Sequence, residues 1–222
     1  MKRIAPGILL LAIGGLLGGA LWWRGAARRR SLPCPTWLAW SLENPFTELV
    51  IGSRPILDGL ALAPGMRVVD AGCGPGRLTI PAAERVGPTG EVVALDIQPG
   101  MLARLDERIA ARGLGNVRPV QGGLGEGRLP EGAFDRALLV TVLGEVPDRA
   151  AALRELHQAL RPGGILAVGE VLLDPHYQPP ATVRRLAEEA GFRVGRLESR
   201  WPSYTLHLIK PAETENGAAP AP

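Results

Sequence analysis

Val68 to Arg77 reads VVDAGCGPGR: two β-branched residues run into an acid, and glycines follow at alternate positions, Gly72, Gly74 and Gly76. A strand that ends in so bare a backbone constrains the fold more than any other part of the chain. Glycine adopts left-handed conformations freely and lets another group approach where a Cβ would block it. In a doubly wound α/β sheet that is where a ligand sits, over the carboxyl ends of the strands.

The rest of the chain supplies the other halves of such a sheet. Strand patterns are read at Arg67–Ala71, Glu91–Asp96, Val117–Gln121, Phe134–Thr141, Ile165–Glu170, Arg193–Glu198 and Tyr204–Lys210. Helical patterns are read at Arg77–Val86, Gly100–Arg112, Asp148–Leu160 and Pro180–Ala190. Alternation of this kind predicts an α/β fold, a doubly wound, seven-stranded, mostly parallel sheet covered on both faces. Only a short turn around Trp201–Ser203 separates the last two strand patterns, so the last strand is expected to enter antiparallel.

The spacing of the loop argues against a dinucleotide. G-x-G-x-x-G counted from Gly72 needs a third glycine at position 77, and Arg77 stands there. Asp70, two positions before the first glycine, suits a ligand with an ammonium group better than a pyrophosphate. Asp96 ends the next strand, VVALD, and is placed to accept hydrogen bonds from both hydroxyls of a ribose. An amino group, a ribose and a close glycine loop together describe S-adenosylmethionine.

Over about residues 63–210 the sequence resembles the class I S-adenosylmethionine-dependent methyltransferases. VVDAGCGPG, VVALDIQPGML, FDRALLVTVLGEVPD and LRPGGILAVGE occur in that family's order and at its usual intervals. DIQPGML and LRPGG make it most similar to the quinone-biosynthesis and lipid-type small-molecule members. The resemblance implies that Asp70 and the backbone of Gly72, Cys73 and Gly74 hold the methionine moiety, and that Asp96 holds the ribose. It further implies that Ile97 and Met101 pack on adenine, that Gly76 lets the helix start close to the strand, and that Thr141 lines the sulfonium end. The family's strand order makes the third strand an edge, which suits Pro119 because an interior strand would miss its N–H. The chain departs from the pattern after that strand. Where many relatives carry an acid for the adenine amino group, it reads QGGLGEG, so adenine is held either by backbone around Gly123 and Leu124 or by Glu126 reaching back.

Methyl transfer asks mainly for in-line positioning, with a base where the acceptor is protonated. Two loops offer side chains. Glu145 follows the fourth strand and is either an acceptor-side carboxylate or an acid at the start of the next helix. DPHYQ, Asp174–Gln178, follows the fifth strand, with His176 as a base and Tyr177 to orient or stack; the competing reading is a plain turn with an exposed histidine. His157 and His207 read as structural, and no histidine or cysteine has metal-ligand spacing.

Charge matters only once divided along the chain. Of 25 lysines and arginines, six lie in residues 1–30, so the remainder holds 19 bases against 22 acids. A nucleic-acid partner is therefore not expected. Ile4–Trp23 is 20 residues without a charge, about 30 Å long as a helix. Trp22, Trp23, Arg24 and Arg28–Arg30 follow it as an interfacial anchor and stop signal. A retained transmembrane helix is the reading adopted, over a cleaved signal peptide or a merely buried helix. The arginines then place the body on the cytoplasmic side. Gly14 and Gly18 make a G-x-x-x-G pair through which two such helices would approach as a homodimer. Residues 31–62 are read as a juxtamembrane bridge, with Thr36–Trp40 either packed on the domain or in contact with the membrane. Residues 63–211 form the methyltransferase-like domain, and 212–222 a disordered tail. Cys34 and Cys73 lie apart and suggest a reduced compartment. Two other functions keep part of this reading: a tethered S-adenosylmethionine-binding module without turnover, and a nicotinamide-dependent oxidoreductase, which Arg77 opposes.

Overall fold

The computed structural model describes residue 25 and residues 45–212. The Ile4–Trp23 run, the Gly14 and Gly18 pair, Cys34, Thr36–Trp40 and residues 213–222 lie outside the described residues. Among the described residues no helix is long and apolar enough to cross a membrane.

The elements follow one another as α1 Pro45–Val50, α2 Ser53–Gly59, β1 Arg67–Ala71, α3 Thr79–Val86, β2 Glu91–Asp96, α4 Pro99–Arg112, β3 Val117–Gln121, β4 Phe134–Val140, α5 Arg149–Ala159, β5 Leu160–Val171, α6 Pro180–Glu189, β6 Arg193–Arg200 and β7 Ser203–Ile209. They form one seven-stranded sheet in the order β3-β2-β1-β4-β5-β7-β6. Strands β1 to β5 run parallel, with Val69 beside Val93 on one side and Ala137 on the other. β7 is antiparallel to both β5 and β6. The antiparallel final strand and the edge position of β3, with its Pro119, agree with the sequence reading.

The Val-rich strands are buried on both faces because helices cover both. Val69, Leu139, Leu166 and Val168 pack against Leu153 and Leu156 of α5 and Val183 and Ala187 of α6. On the other face Val68, Val92 and Leu138 meet Ile56 and Leu57 of α2 and Ala82, Ala83 and Val86 of α3. Ala94 meets Leu102 and Leu105 of α4. The packing of α2 carries the core upstream of residue 63, into the bridging region. β5 begins five residues earlier than its apolar pattern, because Leu160 already pairs with Phe134 and the LRPGG stretch is absorbed as a register irregularity.

The order β3-β2-β1-β4-β5 reverses direction between β1 and β4, and a crevice at such a switch point is the ligand position of doubly wound folds. Both loops that the sequence singles out leave the sheet at that edge.

Candidate active site

The glycine loop is built as its sequence requires. Gly72, Gly74 and Gly76 all have φ in the left-handed region, at 74°, 53° and 87°. The N–H groups of Gly72 and Cys73 both donate to Leu95 O, at 2.7 and 3.0 Å, tying the loop to the end of β2. A Cβ at Gly72 would overlap the side chain of Val142, and one at Gly76 would overlap Leu105. Gly76 thus sets how closely α4 approaches, and Gly72 how closely the loop after β4 does.

Asp96 organises this loop directly. Its Oδ2 accepts from Gly74 N–H at 2.8 Å and its Oδ1 from Gln98 N–H at 2.8 Å. Ile97 N–H also draws on this carboxylate, which still has acceptor capacity left for a hydroxyl. Burial lifts its pKa, against the pull of those N–H groups. Asp70 is more deeply placed: buried, it accepts from the Thr79 hydroxyl at 2.6 Å, and burial pushes its pKa up to about 6. Its carboxylate shapes the turn into α3. Cys73 is likewise buried, and burial raises its thiol pKa, so it packs and does not react.

Arg77, which displaces a dinucleotide glycine, turns toward the N-terminal helices. Its guanidinium donates to Ile51 O at 2.7 Å and lies 3.7 Å from the Glu48 carboxylate. On the adenine side, Ile97 is 57% exposed at the end of β2, whereas Met101 is 1% exposed. Ile97 therefore presents an apolar surface, whereas Met101 is buried at the start of α4. Gly123 N–H donates to Glu126 Oε2 at 3.2 Å, so Glu126 does fold back onto this loop. Leu124 packs against the core. Glu155, buried on α5, accepts from Gly125 N–H and from Leu129 N–H at 2.9 Å and fixes the same loop from below.

Residues 141–145 join the two halves of the site. Thr141 follows β4 with φ at 57°, uncommon for a side chain branched at Cβ. Val142 covers Gly72, and Gly144 lies so close under the next loop that a Cβ there would overlap the carbonyl oxygen of His176. Gly144→Ala is expected to lower stability by about 1–3 kcal/mol through overpacking. Urea unfolding checks it, and an unchanged midpoint would mean the two loops are not in contact.

The acceptor-side candidates do come together. His176 is buried, which excludes the exposed-turn reading, and its Nδ1 lies 3.8 Å from a Glu145 oxygen and 3.8 Å from an Asp174 oxygen. Its Nε2 is buried with no hydrogen-bond partner among the described residues. Tyr177 packs on the core and meets Tyr204 edge-to-face at 6.1 Å between ring centroids.

One further acid appears that the sequence did not single out. Glu170, at the end of β5, is buried; its Oε2 accepts from Gln178 N–H at 3.2 Å, and its Oε1 has no partner among the described residues. Gln178 also donates to His176 O at 2.7 Å and accepts from the Tyr204 hydroxyl at 2.5 Å. A glutamate pointing into the core is the one signal in ILAVGEV that marks this position. Arg149 donates to Gly144 O at 3.3 Å and closes the opposite side.

Residues 68–164 match a family model described as a methyltransferase domain. The chain is 39% identical over 101 residues to a demethylmenaquinone methyltransferase of Geobacillus kaustophilus (strain HTA426), covering 46% of this chain and 43% of that protein. It is 35% identical over 136 residues to a nocamycin O-methyltransferase of Saccharothrix syringae, covering 61% of this chain and 46% of that protein. It spans less than half the length of these curated relatives. Among solved structures it is similar to that of a SAM dependent methyltransferase from Aquifex aeolicus, with a TM-score of 0.75 and 23% identity, covering 80% of this chain and 100% of that one. At that identity the likeness is one of fold.

Proposed function

We propose that this chain, whose residues 68–164 form an S-adenosylmethionine-dependent methyltransferase domain, transfers a methyl group to a small hydrophobic acceptor held between residues 141–148 and 172–179. The observation that carries the reading is the edge of β1 and β2, where three left-handed glycines face a carboxylate that holds Gly74 N–H and keeps acceptor capacity for a ribose. That edge fits the cofactor. Gly72–Gly74 leave room beside the backbone for its methionine moiety, Asp96 takes the ribose, Ile97 offers a face to adenine, and the loop of Gly123 and Leu124, held by Glu126 and Glu155, closes the adenine side. Thr141 lies just after β4, on the way to the acceptor.

The bound cofactor supplies a methyl already activated on a sulfonium. The chain has to orient the acceptor, exclude water and, for an O–H or N–H acceptor, remove a proton. His176 fits the last task. Its Nδ1 side faces Glu145 and Asp174, and its Nε2, without a hydrogen-bond partner among the described residues, is the nitrogen left to take the acceptor's proton. Tyr177 lines the same loop. The relatives named for demethylmenaquinone and for nocamycin support a small hydrophobic acceptor.

Incubating the full chain with methyl-tritiated cofactor and an extract of membrane lipids and quinones tests this. Label in the organic phase, matched by released S-adenosylhomocysteine, is the expected result. Cofactor binding without either product would favour the module without turnover.

The Ile4–Trp23 run supports anchoring of the protein in the cytoplasmic membrane with this domain on the cytoplasmic side. An uncharged span of this length is held by burial, whereas surface arginines contribute only about 1 kcal/mol each at an anionic membrane. The protein is expected to stay in the membrane fraction through alkaline and high-salt washes, as read by immunoblot of pellet and supernatant; release by salt alone would contradict an inserted span.

A further inference from the structure

Large apolar side chains left exposed among the described residues are not spread over the surface. Of six, five come from segments at the carboxyl edge of the parallel strands: Leu49, Ile97, Leu172, Leu173 and Trp201; only Leu197 lies along β6. Four of the five are carried by segments in direct contact. Leu172 N–H donates to Pro202 O at 2.9 Å, and Ser203 Oγ donates to Val50 O at 2.8 Å, which brings α1, the loop after β5 and the β6–β7 turn together. Trp201 is 87% exposed, Leu49 79%, Leu173 64% and Leu172 43%. Single exposed leucines need no explanation, but an apolar group gathered beside a site mouth does.

The chain itself points to the occupant. Just 21 residues separate Trp23, at the end of the uncharged run, from Pro45, at the start of α1; fully extended they reach about 70 Å. Leu49 lies four residues farther on. Exposed Arg54 and Arg200 flank the apolar group, and tryptophan with arginine is the pairing that suits the headgroup layer of an anionic membrane.

We propose that Leu49, Leu172, Leu173 and Trp201 form a rim that seats in the interfacial layer of an anionic bilayer and turns the acceptor loop, residues 172–179, toward it. The rim's use, delivery of a lipid-soluble acceptor, rests on the function proposed above; the contact itself does not.

The test uses the full chain in a Cys34→Ser background, with an environment-sensitive fluorophore on Arg200→Cys; Cys73 is buried and stays unlabelled. Vesicles are phosphatidylcholine and phosphatidylglycerol, with or without bromine on the acyl chains. The label is expected to shift to the blue on vesicles and to be quenched by the brominated lipid, and the pair Leu49→Asp, Trp201→Asp should abolish both changes. The same label on exposed Arg184→Cys of α6 should respond to neither. Cofactor affinity should be equal in all variants, which reports folding and separates this contact from the methyltransferase reading. A label at position 200 that stays in water on vesicles overturns the proposal. So does one already shielded without lipid, which would mean that Thr36–Trp40 covers the rim, or one shielded only as protein concentration rises, which would mean a second copy does.

Discussion

Asp96→Ala is expected to weaken S-adenosylmethionine binding by at least tenfold and, with the loop loosened, by up to about a hundredfold, or about 1.4–2.7 kcal/mol. Two effects add in the same direction. The variant lacks the acceptors for the ribose, and it also releases Gly74 N–H and Gln98 N–H, which the carboxylate holds at 2.8 Å each. Asp96→Asn keeps one carbonyl acceptor and should fall between the two proteins. Calorimetric titration measures the affinities, and a thermal melt confirms that each variant is folded. Unchanged affinity in a folded Asp96→Ala protein would remove the ribose role from this residue.

Glu170→Gln is expected to melt well above the unsubstituted protein at about pH 9 and level with it near pH 4.5. Burial is the main cause that lifts the Glu170 pKa to about 8 from an ordinary 4.5; Asp174 and Glu145 lift it further, while Gln178 N–H and Arg149 oppose. Between those values the folded protein keeps a proton that the unfolded chain gives up. Stability from this group is therefore complete below about pH 4.5, falls as pH rises toward 8 and levels off above, a change of a few kcal/mol in order of magnitude. The amide in Glu170→Gln keeps an oxygen for Gln178 N–H and carries no charge, so that loss should vanish. Asp70, whose pKa is raised to about 6, adds a similar slope at lower pH, but it is common to both proteins and cancels in the difference. Melting curves that shift in parallel over the whole range would show that Glu170 ionises normally. Because Glu170 supports Gln178, and Gln178 supports His176 O, its ionisation would also disturb the proposed base.

The strands were legible because each carries a short Val- or Leu-rich run, and burial on both faces makes such runs nearly continuous. VVDA and VVALD end within the sheet where their patterns end. The glycine loop was legible because left-handed φ leaves few other residues to choose from. What the sequence did not disclose are contacts between distant segments. Arg77 reads as a missing glycine, and its bond to Ile51 O, 26 residues upstream, depends on where α1 and α2 settle. Glu155 occurs in an amphipathic helix and reads as a surface acid, yet it binds backbone 26 and 30 residues earlier. Met101 reads equally well as ligand platform or core, and its burial is not visible in the sequence. Gly144 is one glycine among 29 until the carbonyl of His176 is seen above it. Glu145 and His176 were chosen separately, from two loops; that their side chains meet follows from β4 and β5 being neighbours in the sheet.

Titration of the full chain with S-adenosylmethionine and, separately, with NADH tests the central assignment most directly. One saturable site per chain for S-adenosylmethionine, competed by S-adenosylhomocysteine and indifferent to NADH, is the predicted result. A chain that binds NADH at this loop, or that binds neither ligand, would contradict it.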